Sequence, residues 1–220
     1  PTPGAPNQMS ASTDIVINEI LYHPIDNDDT KEFVELYNRG ESSVDVSGWR
    51  FSNGLDFEFP PSTSIPAGGY LVVARDPQRV RTVYGLGPDE VIGPLDEEAL
   101  DDFGKLRDSG ERLTLQDELG RTVDTIRYHD GGEWSRWADG GGSSLELIDP
   151  FADNRVGQAW DASDDSSKAQ VKTYTYVGRH GGGESELHVL LLSRGITIVD
   201  DLSIKGGGTS YEDTPFIEQG

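Results

Sequence analysis

Between Ile15 and Ile148 the chain is a succession of short runs in which apolar and polar residues alternate, most of them closed by glycine, asparagine or proline. A period of two sends successive side chains to opposite faces, so each run reads as a half-buried strand. The pattern predicts strands at Ile15 to Tyr22, Glu32 to Asn38, Trp49 to Ser52, Asp56 to Phe59, Tyr70 to Ala74, Arg112 to Gln116, Val123 to Tyr128 and Ser144 to Ile148. Strands this short and this closely spaced build a sandwich or a barrel. Asn53-Gly54, Ala67-Gly68-Gly69 and Leu119-Gly120 supply the positive φ that tight connections require. One helix interrupts the series. Asp76 is its N-cap, Pro77 its first residue, and Val80, Val83 and Tyr84 recur on one face before Gly85 stops it.

The flanks read differently. Residues 1–12 are rich in Pro, Asn, Ser and Thr without an apolar face and form a linker, so that the chain looks cut from a longer one. Between Gly85 and Ser109 an acidic stretch containing Asp96, Glu97, Glu98, Asp101 and Asp102 reads as a long mobile insertion. Acidity falls away after Ser163 to Ser167, which places a boundary there and a first domain over 13–163. Residues 168–206 read as a three-stranded β-meander, Val171 to Val177, Glu186 to Leu192 and Ile196 to Ile204, with Gly181-Gly182-Gly183 and Arg194-Gly195 as turns. Three strands leave one apolar face uncovered, so the meander has to dock on the sandwich or on another copy. Residues 207–220 are a linker or the start of a following domain.

Composition narrows the function. Forty acidic residues against 18 basic give a net charge of −22, which repels phosphate backbones and makes nucleic acid a poor partner. There is no cysteine, hence no disulfide framework, thiolate metal site or cysteine nucleophile. No apolar run reaches the roughly 18 residues a membrane span needs, and no signal peptide precedes the first strand.

The order of motifs resembles a known family. IVINEILYHP (15–24), EFVELYNRG (32–40), VSGWRFS (46–52) and IPAGGYLVVARD (65–76) are similar to the lamin tail domain, and GERLTLQDELGRTVDTIRY (110–128), WSRWADGGGSSLELIDP (134–150) and DNRVGQAWDAS (153–163) match its bacterial branch. The resemblance implies an all-β, immunoglobulin-like β-sandwich without catalytic activity, carried as a module of secreted or envelope-attached multidomain proteins. The heptad rod and basic flanks of animal lamins have no counterpart, so chromatin binding does not carry over. Residues 186–204 resemble the closing strands of a jelly-roll carbohydrate-binding module.

Several constellations have two readings. Asp26, Asp28, Asp29 and Glu32 offer hard oxygens suited to calcium, yet Lys31 stands where an EF-hand needs glycine, and a solvated turn explains the run as well. Asp149, Asp153, Asp161, Asp164 and Asp165 form a second acidic set, and Asp200 and Asp201 a third, where a strand-end carboxylate either nears a structural calcium or accepts backbone hydrogen bonds. Alternation puts Ile15, Ile17, Glu19 and Leu21 on one face and Phe33, Glu35 and Tyr37 on one face of the neighbour, so Glu19 and Glu35 form either a structural pair bonded to an arginine or backbone amides, or a glycosidase-like dyad. Trp49 and Trp160 are expected in the core; Trp134 and Trp137, in a glycine-rich loop, are expected outside as a ligand platform. No nucleophile elbow, phosphate loop or His-Glu-x-x-His is present, and His23, His129, His180 and His188 are scattered.

The expectation is a non-catalytic interaction or structural module at the cell surface or in secretion, with structural calcium as its one conceivable ion and neighbouring domains, proteins or glycans as partners. Carbohydrate binding, or an accessory polysaccharide hydrolase acting through Glu19 and Glu35, is the alternative.

Overall fold

The structure is a computed structural model that describes residues 14–94 and 103–163. Twelve strands and one helix follow in order: β1 (Ile15–Leu21), β2 (Phe33–Asn38), β3 (Val44–Asp45), β4 (Arg50–Asn53), β5 (Phe57–Glu58), β6 (Ser64–Ile65), β7 (Tyr70–Ala74), α1 (Pro77–Tyr84), β8 (Val91–Ile92), β9 (Arg112–Gln116), β10 (Thr122–Arg127), β11 (Leu145–Leu147) and β12 (Trp160–Ala162). A six-stranded sheet, β12-β11-β1-β2-β7-β8, lies against a four-stranded sheet, β10-β9-β4-β5, while β3 and β6 pair at one end. All pairings are antiparallel except β7 with β8. This is the all-β sandwich that the alternation allows, immunoglobulin-like as the resemblance implies.

Apolar side chains from both sheets fill the space between them. Ile17, Ile20, Val34, Leu36 and Leu71 of the larger sheet meet Phe51, Leu113, Leu115 and Ile126 of the smaller one in a single buried cluster. Trp49 and Trp160 are buried in it, as expected. Burial of this kind contributes roughly 25 cal/mol for each Å² of apolar surface removed from water. The outer face of the larger sheet carries a second, smaller cluster in which α1 covers Leu21, Phe33, Val72, Ala74 and Val91.

The helix is built as the sequence dictates. The Asp76 side chain accepts from Arg79 N, Pro77 opens the first turn, and Gly85 closes the last with φ 70°. Val80 is buried and Tyr84 half-buried, with the Tyr84 ring set edge-on against Phe33 at 5.6 Å. Val83, expected on the apolar face, is 45% exposed. Eight residues present only a narrow stripe to the sheet, and Val80 and Tyr84, four apart, occupy it.

Two further expectations change. The stretch after Gly85 is not simply an insertion, because Val91 and Ile92 pair with Val72 and Val73, and Phe103 and Leu106 are in the core. Asp96, Glu97, Glu98, Asp101 and Asp102 lie outside the described residues. The faces of β1 also differ from strict alternation. A β-bulge between Ile17 and Glu19 inserts Asn18, so Ile15, Ile17 and Ile20 line the main core while Glu19 and Leu21 face outward. The linker 1–12, the meander 168–206 with Asp200 and Asp201, and residues 207–220 also lie outside the described residues, as do Asp164, Asp165, His180 and His188.

Candidate functional site

Two surfaces of the sandwich carry chemistry. The first is the outer face of the larger sheet beside α1. The register pairs Glu146 with Asp161, Glu19 with Glu146, and Glu19 with Glu35, so β12, β11, β1 and β2 place four carboxylates in one row. The row continues into Val72 and Val91 beneath the helix. Glu35 Oε1 accepts from Asn18 Nδ2 at 3.0 Å, and Glu19 Oε1 accepts from the Ser144 hydroxyl. Burial, the charge of Glu19 and the charge of Glu146 push the Glu35 carboxyl up to about 7, against the bond from Asn18. Beside the row the rings of Tyr37 and Tyr70 pack 4.6 Å apart.

The second surface is a cleft of about 380 Å³ where β1, β10 and the loop between β11 and β12 meet. Ile15, Val16 and Val123 line it with apolar side chains, and Arg39, Asp124 and Phe151 line it as well. Asp124 Oδ2 accepts from Ile17 N at 2.8 Å and from Asn154 Nδ2 at 2.7 Å. Burial raises the Asp124 carboxyl despite those bonds and the nearby Arg39 charge. Arg39 donates to Pro150 O at 2.9 Å and lies 5.9 Å from the centre of the Phe151 ring. Ile148, Phe151 and Val156 stand 65%, 71% and 44% exposed on that one loop. Within the loop Asp149 Oδ1 accepts from Phe151 N, and Arg155 donates to Asp153 with two nitrogens.

This fold and motif order agree with a family match: the sequence model described as Lamin Tail Domain covers residues 8–130, more than half of the chain. The chain belongs to the lamin tail domain family. The family is immunoglobulin-like and non-catalytic. Among curated proteins, none matches the chain. Strands β11 and β12 lie beyond the matched residues, yet they complete the same sheet as β1 in this lamin tail domain.

The residues singled out in sequence fall in different places. Asp26, Asp28 and Asp29 face cations: Lys31 bonds Asp26, Arg79 reaches Asp28 at 3.3 Å, and Lys105 reaches Asp29 at 3.1 Å. Glu32 turns into the core, where its Oε2 accepts from Leu106 N at 2.9 Å and its Oε1 has no hydrogen-bond partner. Burial drives the Glu32 carboxyl up to about 8. No group of three or more His, Asp or Glu is arranged to hold a metal ion among the described residues.

Trp137 is 44% exposed, but Trp134 is buried, against the expectation of a two-ring platform. Its ring packs 6.2 Å from Trp160, and Gly157 leaves the space its indole needs. The glycine-rich composition of 139–142 concealed that the residues before it enter the core, with Trp134 buried and Ala138 fully so. Glu19 and Glu35 are the neighbours that alternation suggested, but on the outer face, where Glu35 accepts from Asn18 and Glu19 from Ser144. Asp124 and Arg39 went unnoticed in the sequence. His23, which the sequence shows only as one of the scattered histidines, has a structural role: its Nδ1 meets Asp139 Oδ1 at 2.7 Å and its Nε2 Asn27 Oδ1 at 3.0 Å, tying two loops together. Burial opposes the imidazolium, but those bonds and the Asp108 charge outweigh it and raise the pKa.

Proposed function

We propose that this lamin tail domain is a non-catalytic interaction module of a larger multidomain protein, working at the cell surface or in secretion, and that it meets neighbouring domains or other proteins through the loop 148–156. The observation that carries the reading is the exposure of Ile148, Phe151 and Val156 on one loop braced by Arg39, in a strongly acidic chain. Exposed apolar residues gathered in one place mark interaction surfaces, whereas scattered ones do not. A net charge of −22 keeps such a module soluble and away from polyanions.

Hydrogen exchange of the chain alone and of the chain joined to its neighbours tests this. Amides of 148–156 slow down in the joined protein if the loop is the contact, and unchanged exchange there overturns the reading. Sugar contact is the second reading, favoured by the open indole of Trp137. It predicts glycan binding that Trp137→Ala abolishes. Release of new reducing ends from a polysaccharide, lost in Glu35→Gln, would overturn the non-catalytic assignment.

A further inference from the structure

Two cross-strand pairs on the sandwich set like charges side by side. On the smaller sheet Arg112 of β9 stands directly opposite Arg127 of β10. Their neighbours Leu113, Leu115 and Ile126 fill the core, so both arginines lie on the outer face, and both are exposed. On the larger sheet Glu146 of β11 stands opposite Asp161 of β12, outward and exposed in the same way because Leu145, Leu147 and Trp160 belong to the core. Like charges placed directly opposite destabilise a strand pair. Among the described residues neither arginine has an acidic partner, and neither Glu146 nor Asp161 has a basic one. The contrast with other cations is plain: Lys31, Arg79, Lys105, Arg121 and Arg155 each meet a carboxylate within the fold.

The two pairs sit back to back. Strand β10 lies behind β1, where its Asp124 accepts from Ile17 N. The two strands run in the same sense, since the Tyr128 ring packs 4.7 Å from that of Tyr22 just beyond their ends. Arg127 is therefore near the level of Leu21, while Glu146 is level with Glu19, two residues away along β1. That is an offset of about 7 Å at the usual strand rise. Helix α1 packs over β1, β2, β7 and β8, and its cluster has no member from β11 or β12. One end of the sandwich is thus basic on one side and acidic on the other.

We propose that copies of this chain associate back to front, the outer face of the smaller sheet of one copy lying on β11 and β12 of the next, so that Arg112 and Arg127 meet Glu146 and Asp161. A guanidinium presents a planar fork of donors that a carboxylate accepts with both oxygens. One such contact relieves both like-charge pairs together. It joins unlike faces, so it does not close on itself and continues into a stack. The net charge of −22 opposes association. At about 0.15 M salt, however, the Debye length is ~8 Å, which screens the distant carboxylates and spares pairs in contact.

Sedimentation of the full chain over a concentration series at about 0.15 M salt tests this. The average mass is expected to climb with concentration and to pass the dimer. Two charge-reversed variants, Arg112→Glu with Arg127→Glu and Glu146→Lys with Asp161→Lys, should each stay monomeric, because both outer faces of each then carry one sign. Mixed together they should associate again, since each variant now offers the other a complementary face. A wild-type chain that stays monomeric throughout overturns the proposal, and so does a mixture that fails to associate. Association that persists unchanged in both separate variants also overturns it, and assigns the contact to the apolar loop 148–156. If a reversed variant fails to fold, the neutral pair Arg112→Gln with Arg127→Gln carries the same expectation of lost association.

Discussion

Asp124 joins the two sheets at the scale of a single residue. It sits on β10, yet its carboxylate satisfies the Ile17 amide of β1 and the side-chain amide of Asn154 in the 148–156 loop. Asp124→Ala leaves both donors without their acceptor, and a buried unsatisfied donor costs about 1–3 kcal/mol. Urea unfolding should therefore show a loss of about 2–4 kcal/mol; a loss below about 1 kcal/mol would mean that water replaces the carboxylate. Nothing local in VDTIRY signals this role, because the partner amide is 107 residues away in sequence. Asn38 is another such residue: fully buried, it donates to Ser42 O and Ile65 O and accepts from Gly40 N. The sequence reading placed it at a strand end but had no means of identifying what it bonds, since that depends on where β6 arrives.

Elements were legible where a local rule specifies them. The helix begins and ends at the residues that cap chemistry marks, and the Asn53-Gly54 turn joins β4 to β5 with Gly54 at φ 84°. A β-carbon at Gly54 would fall 2.2 Å from Leu113 Cδ2, so Gly54→Ala combines an unfavourable backbone angle with a clash in the core. Its melting temperature should drop further than that of Asp76→Ala, which loses only a helix cap worth about 1 kcal/mol. Equal or reversed losses in paired thermal melts would show that β9 yields to the added methyl. The two-residue strands β3, β6 and β8 escaped the reading because no alternation surrounds them, whereas β5, equally short, lies inside the alternating run Asp56 to Phe59. Strand β12 escaped for a related reason: Trp160–Ala162 follows a turn, and only its pairing with β11 makes it a strand.

For the whole molecule, charge and topology act together. At −22 the folded chain concentrates like charge that the unfolded chain spreads out, so self-repulsion opposes folding. Raising salt from about 0.01 M to about 1 M shortens the Debye length from ~30 to ~3 Å, and the melting temperature should rise along that series. A melting temperature that falls with salt would mean that pairs such as Lys105 with Asp29 outweigh the general repulsion. The bulge at Asn18 has a consequence of its own at this scale. It decides which side of β1 is oil and which is water from Glu19 onward, because a strand shifted by one residue exchanges its two faces. Were Asn18 drawn into the regular ladder instead of bulging from it, Ile20 and Tyr22 would turn out into solvent and Glu19 and Leu21 would be driven between the sheets, and the middle of the sandwich would wear its surface, whereas deleting it would leave every side chain on its present side.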